Sequence, residues 1–128
     1  MAGKAKHVEQ ERAQWALETV RELRRSQGAN KKELLSHIRK LPSHIQASGL
    51  AQTLLFYGSE KRHQGLAEQL ARHLKLFPNG SNKIADAVKE LVQSAENVRR
   101  KTRDALSAAQ WLKRFAEVEL DDPRENPS

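Results

Sequence analysis

The sequence predicts an all-α protein, a compact bundle of about six helices with a long C-terminal helix and a short acidic tail. Three observations carry that expectation. Ala, Leu, Arg, Lys, Glu and Gln dominate, the residues that sit best in helices. Aromatics make up only 5 % and Gly and Pro together number ten, a composition that argues against a sandwich or barrel. Apolar residues recur at helical spacing in one segment after another, and stop signals fall at helix-length intervals. At 128 residues the chain is long enough to bury one modest core. We expect a single domain over residues 1–120 and a disordered tail over 121–128.

The elements follow in order. The first helix is expected from about Lys4 to Arg25, with Ala13, Ala16, Leu17, Val20 and Leu23 as its inner stripe and Gly28 as its stop. Asn30, with Glu33 three residues on, has capping-box spacing and opens a second helix carrying Leu34, Leu35 and Ile38. Pro42 fixes its own φ and biases Leu41 away from α, so this helix is expected to close at Leu41-Pro42. A third then covers Ser43 to Tyr57 and ends near Gly58. Gly49 falls inside it, where a glycine costs about 1 kcal/mol relative to alanine, and so suggests a close backbone approach. The fourth, Lys61 to Leu76, carries Leu66, Leu70 and Leu74 and meets the turn signal Pro78-Asn79-Gly80. Ser81 or Asn82 caps a fifth through Val92. The sixth and longest begins near Ser94 and reaches about Val118, and neither Gly nor Pro separates it from the fifth.

Several function classes drop out on composition. Without cysteine there is no disulfide framework, thiol chemistry or thiolate metal site. MAGKAKHVEQER lacks the apolar core of a signal peptide, and no apolar run approaches the ~20 residues of a membrane span. A cytoplasmic protein with no membrane contact is the resulting expectation. His7, His37, His44, His63 and His73 are scattered, and no two stand four apart on a helix as in HExxH, so neither metal binding nor a histidine ribonuclease is expected. Gly58, Gly65 and Gly80 are isolated, which excludes a glycine-rich phosphate loop. Asp121-Asp122 falls in the tail, a poor place to hold a catalytic carboxylate. We expect no catalytic residues, no metal and no cofactor.

Charge points toward a polyanion. The net charge is +7, yet from Glu117 onward five acids face one base, leaving +11 for residues 1–116. At ~100° per residue, Val98, Ala105, Ala109, Leu112 and Ala116 form one stripe of the last helix. Roughly opposite stand Arg99, Arg103, Gln110 and Arg114, over ~22 Å of helix at 1.5 Å per residue. Such a stripe can follow several phosphates of a strand, or it can be a solvated face. Lys31, Lys32, Arg39 and Lys40 form a second basic group, and Lys61 and Arg62 a third. Phosphate contacts of this kind position a strand without reading its bases. Trp111, Phe115 and Val118 lie on a third face, and Val8 and Trp15 fall off the main stripe of the first helix. Either those helices are buried on two sides, or the rings anchor a protein partner.

The run Lys40–Phe56, KLPSHIQASGLAQTLLF, resembles the small helical subunit of the type III-B (Cmr) CRISPR effector complex in its leucine-proline, isoleucine, glycine-leucine, glutamine and phenylalanine. The resemblance returns in Arg103-Asp104-Ala105-Leu106 and Trp111-Leu112-Lys113-Arg114-Phe115-Ala116, and loosely in Arg12 with Ala13-Gln14-Trp15-Ala16. It implies a non-catalytic helical bundle that serves antiviral defence. Copies of such a subunit stack along the complex, against a repeated backbone subunit and a large polymerase-like subunit. There they help enclose guide RNA and target RNA while the backbone subunits cut the target. On that reading Arg99, Arg103, Arg114, Lys40 and Lys61 are the RNA-facing candidates. Trp15, Trp111 and Phe115 are the candidate subunit contacts.

Two other classes fit the residues alone. An autonomous nucleic-acid-binding bundle would need a short helix-turn-helix with a polar recognition helix, whereas Pro42 is followed by the apolar run Leu50–Phe56. A helical scaffold or adaptor with no nucleic-acid role would use its basic face only to stay in solution.

Overall fold

A computed structural model of the chain describes residues 2–27 and 30–121, with side chains described for 7–26 and 30–121. Six α-helices and no strand occur among the described residues, namely α1 (Ala2–Gln27), α2 (Lys31–Ser48), α3 (Leu50–Ser59), α4 (Gln64–His73), α5 (Ile84–Leu91) and α6 (Ala95–Leu120). The all-helical class and the long final helix agree with the sequence. The stop expected at Gly28 and the tail from residue 122 onward lie outside the described residues.

The second and third helices are divided elsewhere than the sequence suggested. Pro42 does not end a helix; it sits inside α2, and its ring is buried. Ile38, Leu41 and Ile45, all at most 1 % exposed, continue the apolar stripe on both sides of it. Burial of that stripe outweighs the hydrogen bond that proline cannot donate to the carbonyl four residues back. The break falls instead at Gly49, whose φ of 85° and ψ of 158° lie in a region open essentially to glycine alone. The close approach expected at Gly49 is absent, since a Cβ there would meet nothing within 4 Å. Gly58 is the crowded glycine: it lies inside α3, with Ile84 of α5 against it.

Chain contacts divide the molecule into two units, residues 1–39 with 108–128 and Lys40–Ser107, so that the boundaries fall within α2 and α6. In the first unit, Ala16, Val20 and Leu23 of α1 are buried, as are Leu34, Leu35 and Ile38 of α2 and Ala108, Ala109, Leu112 and Ala116 of α6. Charged side chains tie its surface together. Arg21 meets Glu119 at 2.9 Å, and Arg39 reaches Glu117 at 3.5 Å and Asp121 at 3.6 Å. At the start of α2, Leu34 N–H donates to the Asn30 carbonyl at 3.2 Å and the Asn30 amide donates to Glu33, so the capping-box pair meets through its side chains.

In the second unit α3, α4 and α5 pack on one another. Leu50, Leu54, Tyr57, Leu66, Leu70, Leu76 and Leu91 are nearly fully buried. The fourth helix stops at His73, short of the expected Leu76, through a Schellman closure. Leu76 N–H donates to the Ala71 carbonyl and Lys75 N–H to that of Arg72, both at 3.0 Å. Lys75 accordingly adopts φ 57°, a left-handed value, and the closure folds Leu76 inward. The Lys101 ammonium donates to the Leu74 carbonyl at 2.7 Å, placing a cation at the negative end of α4. Pro78-Asn79-Gly80 turns as expected, with Ser81 N–H on the Pro78 carbonyl at 3.0 Å and Gly80 at φ 81°.

Helices α5 and α6 are separate. Ser94 Oγ accepts the Asn97 N–H at 3.0 Å, an N-cap that starts α6. The Asn97 amide donates to the carbonyls of Glu90 at 3.3 Å and Leu91 at 3.0 Å, closing the end of α5. Ser81, expected as a cap, stands just ahead of α5: its hydroxyl donates to Asp86 at 2.6 Å and accepts from Lys83 N–H at 3.2 Å.

Candidate nucleic-acid interface

The second unit holds eleven Lys and Arg against six Asp and Glu, a net +5, whereas the first holds twelve against ten. The bases of the second unit divide by what they touch. Lys101 is turned inward onto α4, the Arg72 guanidinium lies 5.8 Å from the centre of the Phe77 ring, and Arg100 donates to Asn97 at 3.2 Å. Arg99, Arg103, Lys40 and Lys61 are exposed, and none forms an ion pair with a described residue. The same holds for Arg114 in the first unit. Arg12, Arg21, Arg25 and Arg39, by contrast, are each paired with a carboxylate. The five basic residues singled out from the sequence are thus uncompensated charges. Arg39, which shares a basic group with Lys31, Lys32 and Lys40 in the sequence, is compensated.

The aromatic candidates all belong to the first unit. Trp15 is half-buried. Trp111 is half-buried too, and its indole N–H donates to Glu9 at 2.9 Å. Phe115 stacks on it, with ring centres 5.9 Å apart and planes at 23°. The polar demand of Trp111 is met internally, and part of each ring still faces outward. Val118, 78 % exposed, continues the α6 face, and Val8, 43 % exposed, lies on α1.

A further cluster was not singled out from the sequence. His44 on α2 and Phe56 and Tyr57 on α3 meet in the second unit, with His44 Nδ1 and the Tyr57 hydroxyl 2.7 Å apart. Tyr57 is 1 % exposed, and burial pushes its pKa from 10.0 up to about 12. The phenol therefore stays protonated at any ordinary pH, and the tautomer of His44 sets which of the two atoms donates. Phe56 remains 54 % exposed beside them. Spacing carried a signal for this cluster, because Lys40, His44 and Ser48 stand four apart on one helix, and Gln52 and Phe56 do so on the next. Placing the break at Pro42 put all but Lys40 on one helix and hid the cleft between two.

The described residues form an all-helical protein whose last helix carries Arg99, Arg103 and Arg114 without carboxylate partners. Comparison with known proteins gives its family. The family model described as CRISPR-associated protein (Cas_Cmr5) matches residues 8–119. A Thermus thermophilus protein described as the CRISPR system Cmr subunit Cmr5 is 34 % identical over 114 residues, covering 86 % of this chain and 93 % of that one. The crystal structure of a CRISPR-associated Cmr5 family protein from the same organism superposes with a TM-score of 0.70 at 32 % identity, over 86 % of this chain and 95 % of that one. The chain belongs to the Cmr5 family, the small helical subunit of the type III-B (Cmr) complex that the sequence resembles. No helix among the described residues is long and apolar enough to cross a membrane.

Proposed function

We propose that the chain is a non-catalytic subunit of an RNA-targeting type III-B effector complex acting in cytoplasmic antiviral defence. In this reading copies of it stack along the complex, against the repeated backbone subunit and the large polymerase-like subunit, and hold guide RNA and target RNA through a basic face. The observation that carries the reading is the set of exposed bases Arg99, Arg103, Arg114, Lys40 and Lys61, which have no carboxylate partner among the described residues, whereas Arg12, Arg21, Arg25 and Arg39 each do. Charges left without carboxylate partners are available to phosphates, and base pairing between guide and target supplies the sequence information that such contacts lack. Trp15, Trp111, Phe115 and the adjoining Val118 serve in this reading as contacts to other subunits.

The test is charge reversal of Arg99, Arg103 and Arg114 together in the assembled complex. Target-RNA retention should weaken, and the slope of log affinity against log salt should become shallower by about 2–3 for three lost phosphate contacts. Unchanged affinity and slope would remove the α6 stripe from the RNA interface.

A further inference from the structure

The second unit contains an open cleft of about 210 Å³ between the end of α2 and α3, lined by His44, Ser48, Gln52, Thr53 and Phe56. We propose that this cleft is a nucleobase subsite that receives an unpaired base of single-stranded RNA, stacked on the Phe56 ring. The proposal rests on the RNA-holding function above and gives it a contact of a different kind, to a base rather than to phosphate.

The geometry and chemistry of the cleft select this occupant. The Phe56 ring is 54 % exposed yet held in place by edge contacts, 5.9 Å from the His44 ring at 82° and 5.5 Å from the Tyr57 ring at 73°. A fixed aromatic face open to solvent is the platform on which bases stack. The other lining residues each carry a polar group beside this apolar surface, as a heterocycle with a hydrogen-bonding edge requires. The Gln52 amide offers a donor and an acceptor side by side, and Ser48 adds a hydroxyl. Thr53 is already committed, its hydroxyl donating to the Gly49 carbonyl at 2.8 Å. The Tyr57 hydroxyl occupies His44 Nδ1, which leaves Nε2 as the polar atom of that ring.

The electrostatics agree. No carboxylate lines the cleft, and the unit around it carries +5. Exposed Lys40 stands one helical turn before His44 on the same face of α2, placed for the phosphate attached to a base in the cleft. The first N–H groups of α3 have no side-chain cap, so the helix start beside Gln52 also favours an anion.

The experiment compares binding of the full-length chain to two fluorescein-labelled oligomers of equal length and charge, oligoadenylate and its abasic ribose-phosphate counterpart. Wild type should bind oligoadenylate more tightly. Phe56→Ala should weaken oligoadenylate roughly fivefold or more, the loss for one stacked base, and leave abasic binding and the salt slope unchanged. Phe56→Trp should restore the preference, and Phe56→Leu, which keeps apolar bulk without a π face, should not. Equal binding of the two oligomers by wild type, or a Phe56→Ala variant with undiminished preference, overturns the base subsite and leaves the phosphate-holding function standing. Binding of neither oligomer, by the chain or by the assembled complex, overturns both. If Phe56→Ala instead releases the chain from the other subunits while its RNA affinity is intact, the cleft is a protein contact and the proposal fails.

Discussion

Gly58 and Ile84 form a contact whose energetic consequence changes sign with a single neighbour. A Cβ built on Gly58 would lie 3.0 Å from both Cγ1 and Cγ2 of Ile84 and 3.1 Å from its Cβ. Comfortable carbon contacts begin at about 3.5 Å. All three atoms belong to the branched head of the isoleucine, which is stiff at χ1 and cannot swing aside, so the start of α5 would have to move. Gly58→Ala therefore combines two opposed effects. Overpacking costs about 1–3 kcal/mol. Replacing a helical glycine by alanine returns up to about 1 kcal/mol. The net expectation is a loss of roughly 1 kcal/mol in the wild-type background. With Ile84→Ala the obstacle is gone, and the same Gly58→Ala step should stabilise by about 0.5–1 kcal/mol. Urea denaturation of the four proteins of this cycle, followed by the helical circular-dichroism signal, gives the coupling from shifts in midpoint at constant slope. A coupling below about 0.5 kcal/mol, or Gly58→Ala stabilising in both backgrounds, refutes the close packing of α3 on α5.

Other expectations rest on single positions. Gly49→Ala should cost about 1–3 kcal/mol through backbone strain alone, with no relief from trimming neighbours, and a loss under about 0.5 kcal/mol in urea denaturation contradicts the break at this residue. Lys75→Gly should raise the melting temperature, since a left-handed side-chain-bearing residue costs about 1–2 kcal/mol, and a lowered one would contradict the closure of α4. Ser94→Ala should destabilise by about 1 kcal/mol in urea denaturation through loss of the α6 cap, and an unchanged midpoint contradicts that role. Tyr57 is the only tyrosine, so its ultraviolet titration is uncontaminated by others and should show ionisation near 12 rather than 10.0. Because the folded pKa is the raised one, the stability tied to the neutral phenol is intact below pH 10 and is lost as pH rises toward about 12, by about 2–3 kcal/mol in all. Ionisation near 10.0 in the folded chain contradicts the burial.

The helical class and most of the inner stripes of α1 and α6 were legible because period, composition and capping agree there: Ala16, Val20 and Leu23, and Ala105, Ala109, Leu112 and Ala116, are buried, while Ala13, Leu17 and Val98, expected with them, are only half-buried. The division between α2 and α3 was not, and the reason is physical. Local rules weigh Pro42 by the hydrogen bond it lacks, whereas the fold weighs it by the apolar stripe that continues through it. The signal for the true break was Gly49, and it was misread as packing because sequence does not distinguish a glycine chosen for its φ from one chosen for its size. Gly58 was misread in the opposite sense. The Schellman end of α4 was hidden because a lysine, not a glycine, occupies its left-handed position. Among the surface candidates, the charges were legible by helical periodicity, but their freedom from carboxylates was not. Arg39 looks like Lys40 in sequence and differs only in the acids that tertiary structure brings to it.

That this chain holds RNA as part of a type III-B assembly is the proposal on which the rest depends. The most direct test is to tag the chain in its native host, purify it at moderate salt, and identify by mass spectrometry and RNA sequencing what accompanies it. The other Cmr subunits should be recovered with it, together with CRISPR guide RNAs. Recovery of the chain alone would contradict it, as would recovery with nucleic acid but no partner subunit, which would mark an autonomous binder.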